Sequence, residues 1–134
     1  MTPRARVVRH DELDAFGPPI PPGVDEDRRR LTGADHGLRT TVMTAHVAPG
    51  RGARRHRHPH AEIFVIEAGQ ARYEVEGTLL DAVAGDIVIV PPDAWHAYVN
   101  SGHGPLRHVA VHENAHAETT FEDPTIEDAG SDRR

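Results

Sequence analysis

The sequence predicts an all-β domain, and three observations support this class. Short segments rich in Val, Ile and Thr recur through the middle of the chain, separated by Gly or Pro. Stretches that combine a 3.6-residue hydrophobic period with helix caps are absent. The 134 residues suffice for one domain, and an aromatic content of 4% favours a compact β domain over a large helical core.

Seven strands are predicted, and nearly all of them end at a turn signal. In chain order they are Thr40–Val47 before Pro49-Gly50, Glu62–Glu67 before Gly69, Ala71–Val75 before Gly77, Thr78–Val83 before Gly85, Asp86–Val90 before Pro91-Pro92, Trp95–Asn100 before Gly102, and finally Leu106–His112. Short strands at this regular spacing are typical of a β-sandwich or a β-barrel.

The segments on either side of these strands have a different composition. Residues 1–37 are expected to form an N-terminal strand and a Pro-rich arm, with residues 16–30 as an irregular or extended surface segment. Residues 113–134 carry seven acidic residues against two Arg, and we expect a solvated tail that is ordered only in part. The domain itself is expected to span residues 38–112.

The composition excludes several classes of protein. There is no Cys, which rules out disulfides, Cys-zinc sites and thiol nucleophiles. A net charge of −6 without a basic stripe predicts no nucleic-acid partner. No apolar run approaches the ~20 residues of a membrane span, so no membrane partner is expected. The basic N-terminus is not followed by an apolar stretch, and we therefore expect a cytoplasmic protein without a secretory signal.

The chain contains eleven His, and the densest group lies in the segment HRHPHAE. His56 and His58 are two residues apart, so both point to the same face of an extended strand. Glu62 has the same parity and can converge on that face. His60 also shares the parity, but it follows the bend at Pro59, which leaves its direction open.

A second segment supplies one more candidate ligand. His96 lies at the start of the predicted strand Trp95–Asn100. Together with His56, His58 and Glu62 it makes a set of three imidazoles and one carboxylate. This donor set suits one divalent transition metal, which can be Fe, Mn, Ni, Co, Cu or Zn. Four ligands also leave one or two positions open for water, O2 or a substrate.

These residues lie in two motifs that resemble those of the cupins. The first cupin motif, G(X)5HXH(X)3–4E(X)6G, is matched at every fixed position by Gly50, His56, His58, Glu62 and Gly69. The second motif, G(X)5PXG(X)2H(X)3N, is matched by Gly85, Pro91, His96 and Asn100. Only its middle Gly is replaced, by Asp93. This turn position is expected to have a positive φ, which Asp tolerates better than most residues.

The resemblance covers roughly residues 38–112 and implies a single-domain, cupin-type jelly-roll β-barrel. It also implies a metal in the barrel interior, held by His56, His58, Glu62 and His96. Small cupins are often dimers that pair or exchange N-terminal strands, so we expect a homodimer, to which Arg6–Arg9 would contribute. We further expect Glu62 to act both as a ligand and as a catalytic base.

The sequence leaves open which face of the last predicted strand points to the interior. Either His108, Ala110 and His112 face the interior, or Arg107, Val109 and Val111 do. Burial of apolar side chains favours the valines, whereas the resemblance favours a catalytic His108 that lines the metal pocket.

Other residues are assigned to the pocket or to the surface. The candidate substrate-pocket residues are Met43, Phe64, Tyr73, Tyr98 and His60. The first four could instead belong to the barrel core. His60 could instead lie at the rim, contact a metal ligand, or serve as an alternate metal ligand. We expect the remaining histidines of loops and strand ends at the surface, namely His10, His36, His103, His112 and His116. Arg72 and Arg107 are expected to face solvent.

Two functions are compatible with this site. The first is a metal-dependent enzyme, of dioxygenase type or an isomerase or lyase, that acts on a small oxygenated molecule. The second is a cupin that binds or senses a small ligand or a metal without chemistry. Because one fold supports many activities, the motifs do not decide between the two, and the substrate is not predicted.

Overall fold

The computed structural model describes residues 4–126, in which eleven strands and two short 3-10 helices are found. The helices are His10–Glu12 and Gly33–His36, and the strands are β1 (Asp14–Ala15), β2 (Asp27–Leu31), β3 (Thr41–Val47), β4 (Gly52–Arg57), β5 (Glu62–Ala68), β6 (Gln70–Val75), β7 (Thr78–Val83), β8 (Ile87–Val90), β9 (His96–Asn100), β10 (Leu106–His112) and β11 (Thr120–Phe121). Neither helix has the length or the apolar character needed to cross a membrane.

The strands form two antiparallel sheets packed face to face. One sheet has the order β1-β2-β3-β10-β5-β8, and the other has the order β11-β4-β9-β6-β7. From β3 onward the chain passes repeatedly between the sheets, which confirms the predicted all-β jelly roll. Within residues 4–126 no strand pairing joins the edges of the two sheets. The jelly roll is therefore a sandwich of two sheets whose edges are not joined into a barrel.

The seven strands predicted from the sequence are all present, and their ends differ by at most one residue. The turn residues explain this agreement. Gly69 ends β5 with a φ of +83°, and a Cβ at this position would lie 2.4 Å from the carbonyl oxygen of Pro105. Only glycine fits both the conformation and the space.

Asp93, the one departure from the second motif, adopts the conformation expected of that position. Its φ is +64°, in the left-handed region that Asp tolerates. Its backbone N–H donates to the carbonyl of His58 at 2.8 Å. This bond ties the loop before β9 to the segment that follows β4, so the two motifs are held together by main chain.

The interior of the sandwich is apolar at one end and polar at the other. The inward-facing residues of β5 are Glu62, Phe64 and Ile66, and all three are buried. Leu106 begins β10 beside the apolar end, and His112 ends the strand beside Glu62. The apolar end supplies the hydrophobic core, and the polar end holds the candidate site.

Both flanking segments contribute strands to the sheets. Residues 16–30 were expected as an irregular or extended surface segment, but β2 begins at Asp27 and pairs with β3. Two arginines of β2, Arg28 and Arg30, are buried. In the acidic tail, β11 pairs with β4 and covers one side of the candidate site. Positions 127–134 of the tail lie outside the described residues.

Candidate metal centre and cavity

Four buried side chains from three neighbouring elements meet at the polar end of the sandwich. β4 supplies His56, and His58 follows its last residue. Glu62 begins β5 and His96 begins β9. His56 and His96 are direct cross-strand partners. One ligand atom of each of the four residues lies within 4.8 Å of the others, so the group could hold a metal ion.

The tautomer of each of these three histidines is fixed by a backbone carbonyl. Because a carbonyl oxygen only accepts, the contacting Nδ1 carries the proton, and the Nε2 of a neutral ring keeps its lone pair. The pairs are His56 Nδ1 with Arg54 O at 2.6 Å, His58 Nδ1 with Glu118 O at 2.8 Å, and His96 Nδ1 with Ala94 O at 2.9 Å. Such outer contacts orient histidines that bind metals.

The contacts of the Glu62 carboxylate fit a bound cation. Its Oε1 lies 3.1 Å from the Nε2 of His58 and 3.1 Å from the Nε2 of His96. In neutral rings both nitrogens are acceptors, so lone pairs on three atoms face one another in a buried site. A divalent metal among them turns this repulsion into coordination by three nitrogens and one carboxylate.

The charge states of the site agree with this interpretation. Burial tends to raise the pKa of Glu62, but the imidazoles of His112, His58 and His96 around the carboxylate hold that pKa well below its ordinary value. Burial, together with neighbouring His96 and His58, lowers the pKa of His56 to about 3. At neutral pH the site therefore offers a carboxylate and a neutral imidazole, the forms that bind metals.

Behind Glu62 lies a pair of histidines, of which His60 was predicted at the pocket and His112 at the surface. His112 Nε2 lies 3.0 Å from Glu62 Oε2, and His112 Nδ1 lies 2.8 Å from His60 Nε2. The protons are placed consistently if His60 donates to His112 and His112 donates to the carboxylate. His58, His60 and His112 also form a second group with metal-ligand spacing, but the His60–His112 hydrogen bond occupies one nitrogen of each ring.

The expectation of His112 at the surface is wrong, since the residue is 1% exposed. Its position follows from the phase of β10. His108, Ala110 and His112 are buried, and the valines between them are only partly so. The alternation of side chains along this strand allowed two orientations. The preference for burying valine favoured the wrong one.

A cavity of about 810 Å³ opens beside the four candidate ligands. His56, His58 and Glu62 form part of its wall, and three of the predicted pocket residues, Met43, Phe64 and Tyr98, line it as well. The other two predicted pocket residues do not. Tyr73 is completely buried in the core, and His60 lies behind His112.

His108 lines the same cavity, at the end away from Glu62. Its Nδ1 lies 3.0 Å from the hydroxyl of Tyr73. Burial lowers the pKa of His108 to about 4, assisted by the charge of Arg28 and opposed by that of Glu62. Burial also raises the pKa of Tyr73 above its ordinary value, so the phenol stays protonated. His108 is thus a neutral imidazole at pH 7.

Among the arginines that line the cavity, the two of β2 are buried, and neither was predicted at the site. Arg28 and Arg30 line the cavity, whereas Arg72 and Arg107 face solvent as expected. A run of charges normally indicates a solvated surface. The spacing of the two arginines, which places them on one face of a strand, was the only available signal.

Comparison with known proteins agrees with this geometry. A family model of the cupin domain matches residues 43–112, more than half of the chain. This chain belongs to the cupin family. Among curated proteins, gentisate 1,2 dioxygenase 1 of Aquipseudomonas alcaligenes is 39% identical over 61 residues, which are 45% of this cupin and 18% of that protein.

Solved cupin structures share the fold. Oxalate decarboxylase from Bacillus subtilis superposes with a TM-score of 0.67 and 21% identity, over 72% of this chain and 28% of that one. A conserved protein with a double-stranded β-helix domain from Klebsiella pneumoniae gives a TM-score of 0.66 and 26% identity, over 87% of this chain and 96% of that one. This cupin therefore spans less than a third of the gentisate dioxygenase and of the oxalate decarboxylase, and nearly all of the Klebsiella pneumoniae protein.

Proposed function

We propose that this cupin is a mononuclear metal-dependent enzyme of dioxygenase type that acts on a small oxygenated molecule. His56, His58, Glu62 and His96 would hold one divalent transition metal. The observation that carries the proposal is the convergence of three oriented imidazoles and a buried carboxylate, of which His56, His58 and Glu62 line an open cavity. The partial match to a gentisate dioxygenase and the Mn(II) centres of Bacillus subtilis oxalate decarboxylase support it.

The bound metal would supply Lewis acidity and redox capacity. The residues of the chain would bind and orient the metal and the substrate and shield the site. His112 holds the carboxylate of Glu62 in place, and we assign Glu62 a second role as a catalytic base. We assign His108, a neutral imidazole on the cavity wall, the second catalytic part, in which it gives or takes a proton of the substrate. Phe64 and Tyr98 contribute aromatic side chains to the cavity wall.

Oxygen consumption separates a dioxygenase from the other reaction classes of the family. In a dioxygenase reaction both atoms of O2 enter the product, so the substrate supplies all the electrons and no reductant is consumed. An isomerase or a lyase would convert its substrate without O2. The test is O2 uptake by the metal-loaded protein on a panel of small diols and flavonols, with product analysis under ¹⁸O2.

Uptake of O2 with both labelled atoms in the product supports the proposal. Conversion without O2 uptake would point to an isomerase or a lyase. Metal binding without conversion of any compound would favour the alternative, a cupin that binds or senses a small ligand or a metal.

We also propose a cytoplasmic homodimer. The outer face of the six-stranded sheet carries an apolar patch in which Ile87 and Ile89 are 61% and 68% exposed beside Ile63 and Val65. A second copy packed on this patch would remove it from water. Light scattering after size exclusion tests this, because Ile89→Glu should convert a dimer of about twice 14.7 kDa into a monomer. A monomeric wild type would refute it.

A further inference from the structure

Two buried arginines face the cavity from β2. Arg28 and Arg30 are separated by one residue and point to the same side, with 6% and 5% exposure. Arg29 between them points outward and is paired with Asp27. Buried guanidinium groups are uncommon, because their loss of hydration is costly. Their place in the wall of a cavity therefore calls for a reason.

The acidic groups in contact with Arg28 are too few to neutralise the positive charges around them. Its Nη2 donates to the Gly52 carbonyl at 3.0 Å and lies 3.2 Å from Glu26 Oε2. The same Glu26 carboxylate accepts two hydrogen bonds from Arg51, at 2.9 and 3.2 Å. One carboxylate thus serves two guanidinium groups. The buried Nε of Arg28 has no hydrogen-bond partner among the described residues.

Arg30 is placed so that a small molecule can reach from it to the metal centre. Across the sheet it is followed in register by Met43, Ala110 and Phe64. Glu62 is two residues from Phe64 on the same strand. Three strand spacings separate the backbones of Arg30 and Phe64, roughly 14 Å in a flat sheet and less across a curved one. The small side chain of Ala110 leaves space between them, and the long arginine side chain spans part of it.

Arg28 acts electrostatically on the same space. Its cross-strand neighbour is Ala45, and Ala45 pairs with His108 on the other side. The charge of Arg28 is one of the causes that lower the pKa of His108. Although the whole chain carries a net charge of −6, both Arg28 and Arg30 line the cavity beside the candidate metal ligands.

We propose that Arg28 and Arg30 form a carboxylate-binding subsite and that the substrate is a small carboxylic acid. Its carboxylate would pair with the two guanidinium groups, its carbon skeleton would pack on Met43 and Phe64, and its far end would face the metal centre. Arginine suits this task, because its planar fork matches a carboxylate. The inference rests on the proposed function for the role of the cavity as a substrate site.

The test compares two ligands of nearly equal shape, benzoate and benzamide, by NMR titration of the full-length protein as purified. Wild type should bind benzoate at least tenfold more tightly than benzamide. Arg30→Met and Arg28→Met should each weaken benzoate binding at least tenfold, which is the scale of a lost charge-assisted hydrogen bond. Arg29→Met, on the outward face of the same strand, is the matched control and should bind benzoate like wild type.

Two further measurements separate the possible outcomes. Thermal melting checks that each variant is folded. If Arg28→Met unfolds because Glu26 loses a partner, Arg30→Met alone tests the subsite. Metal content is measured on every preparation. Arginine-dependent binding of benzoate to a protein without metal would support the subsite and contradict the proposed function. Equal binding of acid and amide, or benzoate binding that survives both substitutions and disappears on chelation, would overturn the subsite.

Discussion

The substitution Glu62→Gln should have opposite effects on the metal-free and the metal-loaded protein. Without metal, Glu62 Oε1 faces two imidazole nitrogens at 3.1 Å, and both are acceptors when the rings are neutral. A glutamine of the same shape can donate from its amide NH2 to those nitrogens and accept from His112 with its oxygen. The metal-free variant should therefore be at least as stable as wild type.

With metal the same substitution removes the only negative charge of the ligand set. Loss of an outer-shell partner usually weakens metal binding by about 10–100-fold, so a lost charged ligand should weaken it by at least ~100-fold. At saturating metal that corresponds to about 2.7 kcal/mol of lost stabilisation. For a domain of this size, about 1 kcal/mol shifts the melting temperature by roughly 4 °C, so the metal-induced shift should shrink by roughly 10 °C.

Thermal unfolding followed by circular dichroism, with added metal and with chelator, measures both effects. Glu67→Gln is the matched control, because Glu67 lies on the same strand and is exposed. It should leave both melting temperatures unchanged. If Glu62→Gln kept the full metal-induced shift, or lowered the stability of the metal-free protein by several kcal/mol, the assignment of Glu62 as a ligand would be refuted.

Three further predictions concern the surroundings of the site and the fold. His112→Phe removes the group that orients Glu62 and should lower metal affinity about 10–100-fold in a chelator competition assay. Gly69→Ala should cost more stability in urea unfolding than Gly77→Ala, because both have a positive φ near 80° but only Gly69 would place a Cβ against backbone. Burial tends to raise the pKa of Glu26, but the hydrogen bond from Arg51, the charge of Arg28, the Ala48 N–H and the charge of Arg51 together lower it. That stabilisation is present above pH ~4.5 and is lost as pH falls through the lower folded-state pKa, so Glu26→Gln should lower stability at pH 7 and flatten its decline in acid.

Each of these predictions has a result that contradicts it. Unchanged metal affinity in His112→Phe would mean that Glu62 is held in place without this hydrogen bond. Equal destabilisation by the two alanine substitutions would show that the backbone near Pro105 relaxes freely. A Glu26→Gln protein with the same stability as wild type at pH 7 and the same acid profile would remove the ion pair as a source of stability.

The motif residues and the strands were predictable because their signals are local. Turns such as that at Gly69 require a backbone conformation that few residues adopt, and strand ends follow from them. That His56 and His58 share a face follows from the two-residue period of extended chain. Glu62 begins a strand of the other sheet, so its approach to the two histidines depends on how the sheets pack. His96 joins them through the pairing of β9 with β4, for which the spacing of the second motif was the signal.

The remaining parts of the site depend on contacts that are distant in sequence. Arg28 is buried because Glu26, Arg51 and the Gly52 carbonyl surround it, and no local pattern in a run of six charges indicates this. His112 is buried because β10 turns the face with its histidines, and not the face with its valines, toward the interior. A strand in which both alternating faces carry apolar residues leaves its orientation undetermined until its neighbours are known.

The most direct test of the central claim is elemental analysis of the chain purified without added metal, combined with thermal unfolding before and after chelation. We expect close to one divalent transition metal per chain in wild type, a clear fall in melting temperature on chelation, and loss of the metal in His96→Ala. Wild type that takes up no metal, with a melting temperature that chelation leaves unchanged, would contradict the assignment of His56, His58, Glu62 and His96 as a metal centre.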